Sequence, residues 1–71
     1  MKLNYDPDVD CLYIDLSPIP GATAKEIAKG FVVDFDEDGN VVGFDIQDAS
    51  KKLDLTTLEV DSLPLPVHQH A

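Results

Sequence analysis

The sequence contains a single cysteine, and Cys11 therefore cannot form a disulfide within the chain. It also lacks a basic start followed by an apolar stretch, and it has no apolar run near the roughly 18 residues that a membrane-spanning helix needs. Small secreted domains are usually rich in disulfides, whereas a lone thiol is typical of a reducing compartment. We therefore expect a cytoplasmic protein.

Positive charge is scarce as well. The chain has 5 Lys and Arg residues against 14 Asp and Glu, which gives a net charge of −9. That charge repels phosphate backbones and anionic lipids, so we expect neither nucleic-acid binding nor membrane binding. The acidic balance suits a basic protein partner or a divalent cation, and it also suits a protein that charge merely keeps dispersed.

The length sets a third limit. At 71 residues the chain is near the size at which a single core gives only marginal stability. We expect one β-rich domain over residues 1–55 and an extended or partly disordered tail over residues 56–71, where prolines and scattered leucines show no period. No cofactor is indicated, so a second chain or a bound ion is the expected additional source of stability.

The stretch from Phe31 to Ser50, FVVDFDEDGNVVGFDIQDAS, predicts a β-hairpin. Apolar residues alternate on both sides of Asp38-Gly39, and Asp-Gly is typical of a two-residue hairpin loop. Counting outward from that loop predicts three apolar cross-strand pairs, Phe35 with Val42, Val33 with Phe44 and Phe31 with Ile46. The other face would carry Val32, Asp34, Asp36, Val41, Gly43 and Asp45.

The first part of the chain follows the same pattern with a longer loop. If Pro7 to Asp10 form that loop, Tyr5 pairs with Leu12 and Leu3 with Ile14. The segment from Ala22 to Ala28 has mixed propensities, and its shortness favours a third strand. Its register stays open, because Lys25 would lie near Asp34 in one register and near Val33 in another.

After the second hairpin the sequence indicates a short helix, with Asp48 as its N-cap and with Ala49 and Leu53 on one face. The predicted fold class is thus α+β, mainly β: a small antiparallel β-meander of four to five strands with one short C-terminal helix. One helix covers little of the apolar face. We therefore expect a homodimer formed through sheet faces or swapped tails.

A metal-binding alternative comes from the spacing of Asp34, Asp36, Asp38 and Gly39, with Asp45 at the twelfth place. This spacing matches a calcium loop of the EF-hand type. An EF-hand needs flanking helices, whereas both flanks here alternate with the period of a strand. A calcium site on Asp34, Asp36, Asp38 and Asp45 is accordingly the alternative hypothesis.

Catalysis by paired carboxylates is a further alternative. Asp34 and Asp45 lie diagonally on one predicted face, close enough to raise one another's pKa. A flat strand face offers no evident substrate pocket, so we expect a noncatalytic protein. A small hydrolase would require a pocket lined by two or more of these carboxylates.

Two ordered blocks of residues carry a family resemblance. They comprise Tyr5-Asp6, Asp10, Leu12-Tyr13-Ile14 and Leu16, followed by Val33-Asp34-Phe35-Asp36, Asp38-Gly39, Val42-Gly43-Phe44-Asp45-Ile46 and Ala49-Ser50. The sequence over about Leu3 to Leu53 resembles the small prokaryotic family DUF2283, with Cys11 where Ala is usual and Asp45 where Glu is usual. The resemblance implies a compact, mainly antiparallel β domain with no established reaction. It also implies an antitoxin-like binding role, because members are thought to lie sometimes beside genes for small toxin-like proteins.

These observations lead to one main hypothesis. The chain is expected to be a noncatalytic, homodimeric protein-binding module that contacts a basic partner through Asp34, Asp36 and Asp45. The alternative is the divalent-cation protein described above.

Overall fold

The computed structural model describes residues 1–62 and confirms the predicted fold class. A single antiparallel sheet of five strands is followed by a short helix. The elements are β1 (Lys2–Asp6), β2 (Cys11–Asp15), β3 (Thr23–Ala28), β4 (Phe31–Phe35), β5 (Val41–Gln47) and α1 (Ala49–Lys52).

The strand order is β1-β2-β5-β4-β3, so β5, the last strand in the sequence, lies at the centre of the sheet. The predicted register of the first hairpin is confirmed, since Leu3 pairs with Ile14 and Tyr5 with Leu12. The strands β2 and β5 then join the hairpins, with Leu12 opposite Ile46. This order leaves β1 and β3 as the two edges of the sheet.

The second hairpin confirms two predicted pairs and corrects the third. Phe31 pairs with Ile46 and Val33 with Phe44, but Phe35 pairs with Val41 and not with Val42. The Asp36 N–H donates to the Asn40 carbonyl at 2.9 Å, and the Gly39 N–H donates to the Asp36 carbonyl at 3.1 Å. The loop therefore has three residues, with Gly39 at a φ of 84°, a left-handed conformation that glycine adopts without steric cost.

A β-bulge restores the register that the longer loop shifts. Val42 is the extra residue on β5, because Asp34 pairs with Gly43 while Phe35 pairs with Val41. The Val42 Cγ2 lies 3.9 Å from the position that a Cβ would take at Gly21, and the Asp34 Cβ lies 3.4 Å from it. Val42 thus packs on the Asp34 side, beneath the β2–β3 connection. The prediction that Val42 lies on the apolar face and Val41 opposite it was wrong.

The ambiguous third segment is a strand. Lys25 pairs with Val33 and Ala24 with Asp34, which selects one of the two registers left open. The pairing shifts between Glu26 and Ala28, so Ile27 is an extra residue there. Every residue of β3 is exposed.

The core lies on one face of the sheet and is small. Leu12, Ile46 and Ala49 are buried together, and Ile14, Phe31 and Leu53 pack against them. The apolar face of the sheet is incompletely covered near β1, where Leu3 is 45% exposed and Tyr5 is 39% exposed. The helix α1 therefore covers the middle of the apolar face and leaves its β1 side open.

Asp48 occupies the N-cap position of α1, as the sequence predicted. Its φ of 52° is left-handed, however, and its side chain makes no capping hydrogen bond. The Asp10 carboxylate accepts from the Ser50 N–H instead, at 3.0 Å. A residue of the β1–β2 loop thus supplies the cap.

Beyond α1, residues 56–62 contain no helix or strand, and the rest of the predicted tail, residues 63–71, lies outside the described residues. None of the helical structure within residues 1–62 is long and apolar enough to cross a bilayer.

Candidate functional site

Three carboxylates meet on the face of the sheet opposite the core. Asp15 on β2 and Asp34 on β4 both pair with Gly43 on the strand between them. Cross-strand partners point to the same face, and Asp45 lies two residues beyond Gly43 on that same face. We call Asp15, Asp34 and Asp45 the carboxylate cluster.

Gly43 provides the space for this cluster. A Cβ built at Gly43 would lie 3.4 Å from the Asp34 Oδ2, 3.8 Å from the Asp15 Oδ1 and 3.0 Å from the Ile14 carbonyl oxygen. A Cβ there would be tight against the Ile14 carbonyl oxygen and in ordinary van der Waals contact with both carboxylates. The two carboxylates therefore lie close to the bare backbone of Gly43, one from each neighbouring strand.

Burial and neighbouring like charges both act on Asp45. Partial burial raises the pKa of the Asp45 carboxyl, and the Asp34 charge, a hydrogen bond with Asp34 and the Asp15 charge raise this pKa further. Each of these causes disfavours the ionised form of Asp45. The cluster thus carries electrostatic repulsion that a cationic group placed on it would relieve.

The structure places Asp36 away from this cluster. Its side chain is buried in the hairpin loop and accepts from the Asp38 N–H at 2.9 Å, the Asn40 N–H at 2.8 Å and the Asn40 Nδ2 at 3.2 Å. These bonds, the one from the Asn40 N–H foremost, lower the pKa of the Asp36 carboxyl. Asp36 therefore organises the loop, while Asp34 and Asp45 are brought together.

The four carboxylates of the calcium alternative are not gathered around one point. Asp36 faces the loop backbone, and the nearby Asp38 contributes its N–H to the Asp36 carboxylate. Among residues 1–62 no group of three or more His, Cys, Asp and Glu side chains is arranged to hold a metal ion. The residues with EF-hand spacing thus form a hairpin and its loop in this structure.

A depression of about 770 Å³ adjoins the cluster, so the prediction of a flat face without a pocket was wrong. The β2–β3 connection forms one wall, and Asp15 and Asp34 line the depression together with Val42 and Gly43. Asp45, the carboxyl with the raised pKa, is not part of the lining. The depression therefore contacts two members of the cluster and leaves out the third.

Sequence reasoning identified Asp34 and Asp45 but missed Asp15 and Gly43 as site residues. Their roles depend on the pairing of β2 with β5, which no local pattern in the sequence specifies. The only available signal was a glycine in the middle of an alternating strand, which often marks close approach of another group.

Comparison of the whole chain with curated proteins and with solved structures finds no match. A family model does match, over residues 2–50, and its description is "Protein of unknown function (DUF2283)". The matched range covers all five strands and the first residues of α1. Because this range is more than half of the sequence, the chain belongs to the DUF2283 family.

Proposed function

We propose that this protein is a noncatalytic protein-binding module of the cytoplasm, a homodimer with an antitoxin-like role towards a basic partner. The partner's Lys or Arg side chains bind the carboxylate cluster. Of the predicted contact residues, Asp34 and Asp45 are central and Asp15 joins them. Asp36 supports the site by holding the hairpin loop.

The observation that carries this proposal is the placement of Asp15 and Asp34 opposite Gly43, with Asp45 on the same face of the sheet. Burial and these neighbouring charges raise the pKa of Asp45. The sheet holds like charges together at a cost in stability, and a guanidinium or ammonium group between them would convert repulsion into attraction. Binding would then favour the ionised form of Asp45. The proposal therefore predicts that partner binding strengthens as pH rises and weakens as salt is added.

The arrangement of the depression supports binding over hydrolysis. General acid–base chemistry needs an acid and a base at the same substrate. Asp15 and Asp34 line the depression, but Asp45, the carboxyl suited to act as the acid, does not.

Charge also decides between classes of partner. A net charge of −9 attracts basic proteins and repels nucleic acids and anionic membranes. The uncovered Leu3 and Tyr5 on the other face supply the apolar surface that homodimerisation would bury. The two contacts use separate surfaces of the sheet.

The test is co-purification of the tagged full-length chain from its native host at low salt. The test variant combines Asp34→Asn with Asp45→Asn. A matched control combines Asp8→Asn with Glu59→Gln, which removes the same formal charge from two exposed positions away from the cluster. Wild type and control are expected to retain one basic protein in stoichiometric amount and to release it at high salt.

The Asp34→Asn, Asp45→Asn variant is expected to lose that protein. Recovery of the wild type without any stoichiometric basic partner would overturn the proposal. Equal retention of the partner by the variant and the wild type would also overturn it, because binding would then be independent of the cluster.

A further inference from the structure

We propose that strand β1 pairs antiparallel with β1 of a second copy, so that two sheets join into one continuous sheet about a two-fold axis at Asn4. This inference rests on the homodimer part of the proposed function and names its surface. It uses an edge of the sheet, and its test reads the dimer and not partner binding, so either proposal can fail while the other stands even though Lys2 pairs with Asp15 of the cluster.

Within the part of the chain that the structure describes, the outer side of β1 is free for pairing along its whole length. It is an edge strand, and Lys2, Leu3, Asn4 and Tyr5 are exposed while Asp6 is half-buried. Within residues 1–62, no backbone hydrogen bond from another element reaches β1 beyond its ladder with β2. An edge of this kind presents unpaired N–H and C=O groups that a further strand can satisfy.

The sequence of β1 is complementary to itself. In an antiparallel pair centred on Asn4, Lys2 lies opposite Asp6 of the second copy, and the symmetry repeats this pair. Leu3 in turn lies opposite Tyr5 of the second copy. A two-fold axis normal to the sheet keeps each face on its own side, so the charged pairs form on one face and the apolar pairs on the other.

The apolar pairs would cover the part of the core face that α1 leaves open. Leu3 is 45% exposed and Tyr5 is 39% exposed, and both line a groove with the nearby Leu55 and Leu58. Leu58 is 74% exposed beside them. Joining the sheets through β1 extends this apolar surface across the axis, where the second copy's Leu3 and Tyr5 bury it.

Only the Asn4 register makes all of these pairs. An axis at Leu3 places Lys2 opposite Asn4, and an axis at Tyr5 places Leu3 opposite Pro7, which has no N–H to donate. Neither alternative pairs Lys2 with Asp6. The charges and the apolar residues therefore specify the same register.

The other edge of the sheet is less suited to self-pairing. The extra residue Ile27 interrupts the ladder of β3, and bulges protect edges from further pairing. An axis at Lys25 would place two lysines opposite each other, and an axis at Glu26 would do the same with two glutamates. The geometry therefore favours β1 and gives a closed dimer.

Charge reversal tests the register. The variants Lys2→Asp and Asp6→Lys each turn both attractive pairs into repulsive ones. Each is expected to raise the dimer dissociation constant by about tenfold or more in analytical ultracentrifugation at low salt. An equimolar mixture of the two should recover the wild-type dissociation constant, because both pairs of the mixed dimer again join a carboxylate with an ammonium group. This recovery also shows that both variants are folded.

Matched reversals on β3, Lys25→Asp and Glu26→Lys, should leave the dimer unchanged. A monomeric wild type would overturn the inference. So would a mixture of Lys2→Asp and Asp6→Lys that dimerises no better than its components, or a loss of dimer in the β3 variants equal to that in the β1 variants.

Cysteine crosslinking gives an independent measurement in a Cys11→Ala background. Residues opposite each other in an antiparallel pair have Cα atoms about 4.5 to 5.5 Å apart, within the range a disulfide spans. Asn4→Cys should therefore give a covalent dimer on mild oxidation, whereas Ala24→Cys on the other edge should not. Failure of Asn4→Cys to crosslink, or equal crosslinking by Ala24→Cys, would contradict pairing through β1.

Discussion

The Asp10 carboxylate accepts two hydrogen bonds from Ser50, which lies 40 positions later in the sequence. The Ser50 hydroxyl donates at 2.7 Å and the Ser50 N–H at 3.0 Å. The Tyr5 hydroxyl donates to the same carboxylate at 2.7 Å. The Asp10 carbonyl also accepts from the Ala49 N–H at 2.9 Å. One loop residue thus fastens the first hairpin to the start of α1, and through α1 to the core.

Removing the Asp10 side chain should destabilise the fold. Asp10→Gly is the suitable change, because glycine adopts the φ of 53° at this position without strain. Asp8→Gly is the matched control, since it carries the same gain in unfolded-chain entropy in the same exposed loop. Urea denaturation should show a clearly lower midpoint for Asp10→Gly than for Asp8→Gly, and equal midpoints would contradict the capping role.

The stabilisation by Asp10 should depend on pH. Hydrogen bonds from Tyr5, and then from Ser50, lower the pKa of the Asp10 carboxyl below its ordinary value of 3.8. A lowered folded-state pKa gives stability that is complete above the unfolded value and is lost as pH falls through the folded value. The difference between wild type and Asp10→Gly should therefore be constant at neutral pH and shrink below pH 3.8.

The ionised Asp45 carboxylate should have the opposite effect and lower the stability of the fold. Its pKa is raised above 3.8, so its ionised form opposes folding at neutral pH. Asp45→Asn should therefore raise the urea midpoint at pH 7, and this gain should vanish as pH falls below 3.8, where the carboxyl is protonated in both states. The same variant should bind the basic partner less well. Destabilisation by Asp45→Asn at pH 7 would contradict the repulsion in the cluster.

Two glycines with positive φ should respond differently to substitution. Gly39 has a φ of 84° and Gly30 a φ of 77°, and asparagine tolerates this conformation better than most residues. A Cβ at Gly39 meets nothing within 4 Å, whereas a Cβ at Gly30 collides with the Lys52 Nζ. That ammonium donates to the Lys29 carbonyl at 3.0 Å and to the Gln47 carbonyl at 2.8 Å. Gly30→Asn should therefore cost more than Gly39→Asn, by no more than about 1 kcal/mol, because the exposed Lys52 side chain can move aside but gives up these two hydrogen bonds.

The measurement is the free energy of unfolding in urea, with Lys52→Met as the control. Because Lys52→Met removes the ammonium beforehand, the extra cost of Gly30→Asn should largely disappear in that background. An extra cost that persists would show that displacement of Lys52 is not its cause.

The bulge on β5 makes the two adjacent valines unequal. Val42 is 5% exposed beneath the β2–β3 connection and Val41 is 42% exposed. Val42→Ala should cost about 2 kcal/mol of unfolding free energy, and Val41→Ala less than about 0.5 kcal/mol. Urea denaturation of the two variants measures this difference, and similar costs would contradict the placement of Val42.

Alternation in the sequence predicted the register of both hairpins away from the second loop. Pairs such as Leu3 with Ile14 and Val33 with Phe44 follow from a two-residue period with one buried face. The loop itself was mispredicted because Asp-Gly fits two hairpin types. The bonds from Asn40 to the Asp36 carboxylate support the three-residue form, and Gly39 supplies the left-handed residue in either.

Contacts between distant segments were beyond sequence reasoning. Nothing near Asp10 indicates that it caps a helix 40 positions later, and the turn propensity of Asp48 suggested a local cap instead. The carboxylate cluster has the same origin, since Asp15 and Asp34 share Gly43 as a cross-strand partner only because β5 lies between β2 and β4. Local patterns predicted strands and faces, and the order of the strands determined the site.

A carboxyl-carbon NMR titration of Asp45 tests whether the sheet holds this carboxyl beside the charges of Asp34 and Asp15. In the wild type Asp45 should titrate above 3.8, and Asp34→Asn should shift its pKa downward because one neighbouring charge is gone. Saturation with a short oligoarginine peptide should shift the pKa of Asp45 in the same direction. A pKa of Asp45 at or below 3.8 in the wild type would contradict repulsion at this site. So would a pKa that shifts neither with Asp34→Asn nor with the peptide.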